Sequence, residues 1–460
     1  MTAKIDVAAL KKQLTGPIFL PDDPGYDEER ATFNLNTPLT PAIVVGAATV
    51  RDVQAAIRFA ADTGLAVATR GGGHLAPHTG AGQLMLTLDR MTSWTIDAAR
   101  ASIRVTGSPR WGQLMEPLAK HGLAGMNGSS PHVGVVGYLL GGGHSPVLSR
   151  SQGFASNHIT SIDVVTGDGE LRTVTATENA DLFFALRGSK GNVGVVTAVE
   201  FGVFPIRTIY GGGLWFAIDK LAEFLPLWRD WAATLPEKAG TSVGIQRLPD
   251  LPGMPDPLRG ASVVHLRYSY TGTAAEGEAL LEPFRKLGTT VFDTIGEIPY
   301  AESGTIHNDP PAPLPIFDRG TGLSALPDEA LARLVELTGP DSGCPLVNVE
   351  IRVLGGALDR EPDAPDALPT RGLAYQFTGF AVGGPDQAEF MNGWLAKVIG
   401  GMRPWADPRQ MPNFISPEGD RTPQELRETY GAELYDRIVA VKEKYDPANL
   451  FRVNHNIVRI

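Results

Sequence analysis

The 460-residue chain contains a single cysteine, Cys344. One cysteine cannot form an intrachain disulfide, and it excludes a metal site built from several thiolates. The chain has no apolar run long enough to span a bilayer, and its N-terminal segment lacks the apolar core of a signal peptide. These absences predict a cytoplasmic protein with no membrane partner and no metal, in which Cys344 is a packing residue.

Basic residues are in the minority, because 40 Lys and Arg stand against 51 Asp and Glu and give a formal net charge of -11. This balance argues against binding to nucleic acid, which needs a basic surface. A hydrophobic content of 43% with 20% charged residues is typical of a globular protein. The length predicts two or three domains, and we expect a monomer or a homodimer.

Several familiar motifs are also missing. The sequence has no G-x-x-x-x-G-K-[ST], no G-x-G-x-x-G that opens a helix after the first strand, no G-x-S-x-G and no H-E-x-x-H. Glycine itself is abundant, with 53 residues, and it is clustered. The cluster TRGGGHLAPHTG at 69–80 follows a predicted strand, where a glycine loop can present backbone N–H groups to a phosphate. The second cluster, at 125–150, contains too much glycine to predict a helix.

Local patterns predict a mixture of helices and strands. Thr49 and Asp52 have the spacing of a capping box, and Gly64 is placed to end the helix that follows. The run Gly167-Asp168-Gly169 predicts the turn of a β-hairpin. From about residue 206, apolar strands alternate with amphipathic helices, which predicts a second domain made of a sheet covered by helices.

Four segments together resemble one protein family: RGGGH at 70–74, SSPHVGVVGYLLGGG at 129–143, ENADLFFALRGSKGNVGVVTAVEF at 178–201 and YDPANLFRVNHNI at 445–457. They resemble the berberine-bridge-enzyme-like branch of the vanillyl-alcohol-oxidase flavoproteins, which carry covalently bound FAD. The resemblance covers the first two hundred and the last thirty residues well, and the middle only loosely. The layout is most similar to bacterial members with one covalent link, such as 6-hydroxynicotine oxidase and oxidases of secondary metabolism.

This resemblance implies an α+β fold of defined organisation. Residues 1–205 are expected to form a PCMH-type FAD-binding domain with two subdomains. Residues 206–420 are expected to form a substrate-binding domain with an antiparallel sheet covered by helices. Residues 421–460 are expected to form a berberine-bridge-type segment that returns to the FAD-binding domain.

The same resemblance implies that His74 forms one covalent bond to FAD. Ser130 stands where doubly linked relatives have cysteine, so no second bond is expected. Val133 matches the position that faces the oxygen-reactive side of the flavin, where the family's oxidases tend to have valine. From the residues alone, a glycine turn with a surface histidine and a packing valine remain alternatives. The other expected cofactor residues are Arg70, Gly71, Gly72, Gly73, Leu75, Ser129, Gly134, Gly137, Tyr138, Gly142, Val196, Asn454 and Asn456.

Asn348, Glu350 and Arg352 alternate along a predicted strand and therefore project to one face. The resemblance places this face over the flavin, so Glu350 is the candidate general base, with the raised pKa that suits this role. Arg352 either depresses that pKa or binds a substrate anion. Asn413 lies in MPNF, which replaces the tyrosine-bearing stretch of sugar-oxidising relatives, and is expected to bond to substrate or flavin. A solvated strand face with a salt bridge remains the alternative.

The sequence thus predicts an FAD-dependent oxidase that removes hydride from a small alcohol or amine of secondary metabolism. Molecular oxygen would accept the electrons and leave as hydrogen peroxide, and the flavin would perform the difficult step. Two alternatives remain open. One is a monooxygenase or oxidative cyclase that works through a flavin–oxygen adduct, and the other is a non-catalytic flavin-binding protein.

Overall fold

The computed structural model describes residues 6–37, 39–75, 79–416 and 421–460. In these ranges the strands β1 to β18 are Ile18–Phe19, Ile43–Gly46, Ala66–Arg70, Gln83–Thr87, Ser93–Asp97, Ser102–Thr106, Ile159–Val165, Leu171–Val174, Val195–Gly202, Thr208–Ala217, Ala239–Arg247, Ser262–Tyr270, Phe292–Asp293, Gly296–Pro299, Ile316–Leu323, Asn348–Val353, Tyr375–Val382 and Ala406–Asp407. The helices α1 to α14 are Ala8–Lys11, Tyr26–Arg30, Val50–Thr63, Trp111–Lys120, Val135–Leu140, Ser149–Gln152, Ala180–Leu186, Leu221–Thr234, Ala274–Leu280, Glu282–Lys286, Asp328–Thr338, Ala388–Gly401, Pro423–Tyr430 and Ala432–Tyr445. No helix within the described ranges has the length and apolar character needed to cross a membrane.

The first sheet has the strand order β1-β2-β4-β3, and its last three strands are parallel. Helix α3 connects β2 to β3 and begins with the predicted capping box. The Thr49 hydroxyl accepts a hydrogen bond from the Asp52 N–H at 3.2 Å, and the Asp52 carboxylate accepts one from the Thr49 N–H at 3.2 Å. The helix ends at Gly64, whose φ of 73° suits glycine. Strand β3 ends at Arg70, so the first glycine loop starts at the carboxyl end of a parallel strand.

The second sheet is antiparallel, with the strand order β5-β6-β9-β7-β8. Its hairpin from β7 to β8 turns where the sequence predicted it, and Val165 pairs with Leu171. Helices α4, α5 and α7 pack on this sheet through a shared core that includes Trp111, Leu139 and Phe184. This core fixes the position of the second glycine region, because that region contains α5.

The third sheet is the largest, with the order β13-β10-β12-β11-β16-β17-β15-β18 and with β14 paired to β10. Its described neighbours are antiparallel. One face is covered by α8, α11 and α12, and Val349 and Ile351 of β16 are fully buried there. The alternate residues of β16 therefore project to the opposite face. The predicted α+β architecture, with an antiparallel sheet covered by helices, is confirmed.

The C-terminal segment lies against the first two sheets. Lys444 Nζ of α14 is 2.6 Å from an Asp181 carboxylate oxygen on α7. Farther along the chain, the Val67 N–H of β3 donates to the Leu450 carbonyl at 2.8 Å. These contacts agree with a segment that returns to the N-terminal part, while the boundaries at 205 and 420 stay predictions.

One local expectation was wrong. The region 125–150 does contain a helix, α5, because Val135, Val136, Leu139 and Leu140 are buried in the core and outweigh the cost of about 1 kcal/mol for a helical glycine. Farther along the chain, Pro283 lies in the first turn of α10, where proline is tolerated.

Candidate active site

The two glycine segments meet back to back at the carboxyl end of β3. A Cβ atom on Gly72 would lie 2.6 Å from the Gly134 nitrogen and Cα, and one on Gly134 would lie 2.7 Å from the Gly72 nitrogen. The second segment is anchored to α4, because the Trp111 N–H donates to the Val133 carbonyl at 3.0 Å. Only glycine at both positions allows this approach, which brings the residues around 133 beside the loop that ends at His74.

Replacement of Gly72 by alanine is expected to destabilise the protein by about 1–3 kcal/mol, the usual cost of overpacking. The atoms that the new methyl group would meet belong to the backbone, which cannot turn away. Thermal unfolding together with flavin content would measure the effect. Gly82→Ala is the matched control, because a Cβ there meets nothing within 4 Å. Equal stability of Gly72→Ala and Gly82→Ala would contradict the close approach of Gly72 to Gly134.

His74 lies partly buried at the end of the first glycine loop. Its ring centroid is 4.7 Å from that of Phe33, and its Nδ1 atom is buried with no hydrogen-bond partner among the described residues. Burial lowers the pKa of His74, and Arg110 and His132 lower it further, while Asp309 raises it. The imidazole is therefore neutral near pH 7 and has a lone pair available for a bond to carbon.

Other predicted cofactor residues use their side chains within the protein. Arg70 Nη2 lies 2.6 Å from an Asp89 carboxylate oxygen, and this ion pair stabilises the start of the first glycine loop. The Tyr138 hydroxyl donates to the Met126 carbonyl at 2.8 Å. Val196 is 3% exposed and packs in the core of the second sheet. What these residues offer a cofactor is mainly backbone, and their contact with it stays a prediction.

The region between the glycine loops and the tail has the features that a flat, polar cofactor needs. At Gly137 a Cβ would meet nothing within 4 Å, although Val136 and Tyr138 on either side are buried. In the tail, the Asn454 carbonyl accepts a hydrogen bond from Asn192 at 3.2 Å. The side-chain oxygen of Asn456 is buried without a described partner. The open space at Gly137, the unpaired side-chain oxygen of Asn456 and the neutral ring of His74 are together compatible with bound FAD.

A buried ionic cluster, centred on Glu350, lies on the face of the third sheet that is opposite α8, α11 and α12. Its Oε1 atom is 2.8 Å from Arg267 Nη1 and 3.0 Å from Arg352 Nε. The Ser242 hydroxyl donates to the same oxygen at 2.8 Å, and Arg352 Nη2 donates to Oε2 at 3.1 Å. His307 Nε2 lies 3.5 Å from Oε1. Strands β11, β12 and β16 thus bring one hydroxyl and two guanidiniums onto a single carboxylate, and the segment after Tyr300–Ile306 adds the imidazole of His307.

The raised pKa expected for Glu350 is not found. Burial by itself raises the pKa of this carboxyl, but Arg352, Arg267 and His307 together hold it well below its usual range. A carboxylate so strongly stabilised in its charged form is a poor proton acceptor. Nor is this strand face solvated, because Glu350 is 4% exposed. The salt bridge that the sequence left as an alternative is present, and it is buried.

Two histidines beside the cluster are neutral instead. Burial lowers the pKa of His144 to about 3, with a further contribution from Arg352. Burial likewise lowers the pKa of His307 to about 4, with Arg267 as the next cause. The Nδ1 atom of His307 makes no hydrogen bond within the described residues, while its Nε2 atom faces Glu350 Oε1 at 3.5 Å. Both rings are therefore uncharged at neutral pH, and each has one nitrogen with a free lone pair.

The remaining predicted residues lie between the cluster and the glycine region. The Asn413 side-chain amide donates to the Tyr138 carbonyl at 2.8 Å, and the Phe414 ring centroid is 5.1 Å from Arg352 Cζ. Asn348 faces the space above Gly244, where its Oδ1 atom has no described partner. The structure therefore brings Asn348, Glu350 and Arg352 together, and it places Asn413 at their border with α5.

Sequence reasoning missed Arg267, Ser242 and His307. Arg267 had a detectable signal, because it alternates with His265 and Ser269 along β12 in the same way as the polar residues of β16. His307 had none, since it follows a short 3-10 helix, Tyr300–Ile306, in a segment without periodicity. Its proximity to Glu350 exists only in the folded chain.

Comparisons with known proteins identify the class. Residues 41–175 match the family described as FAD binding domain, and residues 422–458 match the family described as berberine and berberine like. (R)-6-hydroxynicotine oxidase of Paenarthrobacter nicotinovorans is 28% identical over 466 residues, which cover 96% of this chain and 97% of that protein. Xylooligosaccharide oxidase of Thermothelomyces thermophilus is 29% identical over 468 residues, covering 95% of this chain and 90% of that protein.

Solved structures agree on the fold. A crystal structure of 6-hydroxy-D-nicotine oxidase from Arthrobacter nicotinovorans superposes with a TM-score of 0.81 at 25% identity and covers 96% of this chain and 98% of that one. Physcomitrella patens BBE-like 1 superposes with a TM-score of 0.82 at 20% identity, covering 97% and 98% of the two chains. The matched FAD-binding domain and the FAD-linked oxidase relatives show an FAD-dependent oxidoreductase. Its two matched domains, and relatives that align over almost their whole length, make the chain similar to the berberine-bridge-enzyme-like FAD-linked oxidoreductases.

Proposed function

We propose that this enzyme is an oxidase with one covalent FAD, attached through His74, that oxidises a small alcohol or amine of secondary metabolism. Molecular oxygen would reoxidise the flavin and leave as hydrogen peroxide. The observation that carries the proposal is the neutral His307 imidazole, 3.5 Å from the buried Glu350 carboxylate on the sheet face next to the glycine loops. It supplies the proton acceptor that oxidation of an O–H or N–H group requires.

FAD, when bound, supplies the acceptor for the substrate hydride and returns the electrons to oxygen. His307 takes the proton of the substrate hydroxyl or amine. The Glu350 carboxylate, on the Nε2 side of the ring, favours the tautomer that carries its hydrogen there and leaves the Nδ1 lone pair free. Glu350 thus changes from the predicted base to the residue that orients the base.

The cluster also excludes water from the reacting groups. Glu350, Arg267 and His307 are each no more than 5% exposed, so a proton released there does not pass directly to solvent. Asn348 and Asn413 are proposed to bond to the substrate or the flavin. The proposed cofactor glycines of the two glycine segments act through their backbone, which can approach the cofactor closely because these residues have no Cβ atom.

A screen of small alcohols and amines with peroxide detection tests the oxidase proposal. We expect one hydrogen peroxide per oxidised product. A monooxygenase would instead give less peroxide than product and would place labelled oxygen from O₂ in the product. An oxidative cyclase that only removes two hydrogens would also give one peroxide per product, and a new ring in the product would identify it. Either result would replace simple oxidation with the alternative that the sequence left open.

Val133 is proposed to control oxygen access. It is partly buried against the core of the second sheet, and it precedes Gly134, where the two glycine segments approach each other closely. Val133→Leu is therefore expected to slow reoxidation of the reduced enzyme by roughly tenfold or more, the effect of about 1.4 kcal/mol or more on the barrier. Stopped-flow mixing with aerated buffer would measure it, with anaerobic reduction by substrate as the internal control. Equal reoxidation of both proteins would assign Val133 to packing.

A further inference from the structure

Lys190 is a strained residue between the second glycine segment and the tail, two segments that are proposed to hold FAD. Its φ is 59°, in the left-handed region that favours glycine. Its N–H donates to the Leu140 carbonyl at the end of α5, at 3.1 Å. Two residues farther on, Asn192 Nδ2 donates to the Asn454 and His455 carbonyls of the tail, at 3.2 and 3.3 Å. A lysine kept in a strained conformation at such a place indicates a task for its side chain.

The ammonium of Lys190 differs from that of a structural lysine. Lys442, which also lies beside Asn192, is a structural lysine. Its Nζ atom donates to the Asn192 and Phe451 carbonyls, at 2.7 and 3.0 Å. The same atom is 3.1 Å from an Asp446 carboxylate oxygen. Lys190 Nζ makes no hydrogen bond and no ion pair with any described residue. The contacts within the described protein therefore account for the charge of Lys442 and not for that of Lys190.

Protein rather than bulk solvent surrounds this ammonium. Burial lowers the pKa of Lys190 to about 8, and Asp318 raises it without a direct ion pair. Burial raises the pKa of Asp318 to about 6, while Lys190 lowers it. Burial lowers the pKa of His455 to about 3, with Lys190 and Arg421 as further causes, so this ring adds no charge. Lys190 and Asp318 are thus both charged near pH 7, and such shifted groups cluster at functional sites.

Asp318 lies on the same face of the third sheet as Glu350. Asp318 of β15 pairs with Phe380 of β17, and Phe380 pairs in turn with Asn348 of β16. Side chains that stand directly opposite each other on neighbouring strands project to the same face, so Asp318 shares the face of Asn348 and Glu350. Lys190, whose charge acts on Asp318, approaches this face from the FAD-binding part of the chain. The lysine is therefore on the side of the proposed reaction, whereas the first glycine loop is the segment suited to the phosphates.

We propose that Lys190 lies against the isoalloxazine of bound FAD and stabilises the negative charge that the ring gains on reduction. Hydride brings two electrons and one proton to the neutral oxidised ring, so the reduced ring is an anion until it takes up a second proton. An enclosed ammonium favours the charged form of the group beside it, and Asp318 is its counter-ion while the ring is oxidised. This inference rests on the proposed function, because it takes the flavin as the hydride acceptor, but it holds for any substrate.

The midpoint potential of the flavin tests this assignment without substrate and without oxygen. The holoenzyme is reduced anaerobically in steps by dithionite, beside a reference dye. In Lys190→Met we expect the ratio of reduced to oxidised flavin at a given potential to fall roughly ten- to hundredfold, which lowers the midpoint of the two-electron couple by about 30–60 mV. Lys120→Met is the matched control, because Lys120 is exposed and pairs with Glu116 on α4. Equal potentials of wild type and Lys190→Met would overturn the proposal.

Two further substitutions separate the charge of Lys190 from its packing. Lys190→Arg keeps the positive charge and should retain most of the wild-type potential. Lys190→Gly removes the side chain and relieves the positive φ, so this variant should unfold at no lower temperature than the wild type and still show the lowered potential. A less stable Lys190→Gly protein with the wild-type potential would make Lys190 a packing residue and refute the assignment.

The flavin content of each variant is measured first. If Lys190→Met holds no flavin, Lys190→Gly provides the same comparison with the wild type. Loss of flavin from all three variants would also refute the proposal, because Lys190→Arg retains the charge. Since the potential is measured without substrate and without oxygen, failure to detect peroxide with any substrate would refute the oxidase function and leave this result standing.

Discussion

The His74→Ala variant is expected to lose covalent flavin completely. The wild-type polypeptide should exceed its sequence mass by one FAD and stay yellow after acid precipitation, while the variant should have the sequence mass and give a colourless pellet. The reason is chemical, because the neutral ring of His74 has an unpaired, buried Nδ1 atom at the end of the glycine loop. Intact-mass spectrometry and the spectrum of the acid pellet measure the result.

His121→Ala serves as the control for this experiment, since His121 is an exposed histidine at the end of α4. It should retain the full mass of one FAD. A second covalent link is not expected, because Ser130 takes the place of cysteine and its hydroxyl accepts a hydrogen bond from the His132 N–H at 3.3 Å. Covalent flavin that survives in His74→Ala would show that another residue makes the bond.

The fold was predictable where local physics and tertiary packing agree. Thr49, Asp52 and Gly64 define a helix by capping alone, and the structure has it within one residue. The helix at Val135–Leu140 was not predictable by the same rules. Its glycines disfavour a helix, and it forms because four apolar side chains find a core that is built by residues far along the chain.

The candidate site could likewise be predicted only in part from the sequence. The alternation of Asn348, Glu350 and Arg352 gave the correct face of the sheet, because side chains on a strand alternate strictly. The pKa of Glu350 could not be predicted, since it depends on Arg352 and also on Arg267, which is 83 positions away in the chain and lies two strands away in the same sheet. The spacing of residues in the sequence shows which of them share a helix or a strand. The charges around a buried side chain depend instead on which helices and strands lie next to each other in the fold.

His307→Asn is expected to slow flavin reduction at saturating substrate by roughly two to four orders of magnitude, the range for a lost general base. Asparagine keeps a polar group of similar reach but cannot accept the proton. Substrate affinity should change little, because the step that is lost is proton transfer and not binding. Anaerobic stopped-flow reduction, with a substrate from the peroxide screen, measures the rate, and flavin content and circular dichroism confirm the fold.

The pH profile separates His307 from Glu350 as the base. Because the pKa of His307 is lowered to about 4, its neutral form persists through neutral pH, and wild-type reduction should fall only below that pH. Glu350→Gln should retain more of the rate than His307→Asn. Its acid limb should move to still lower pH, because the carboxylate raises the pKa of His307 and its removal cancels that effect. If Glu350→Gln instead abolished reduction and the acid limb together, while His307→Asn preserved both, the carboxylate would be the proton acceptor after all.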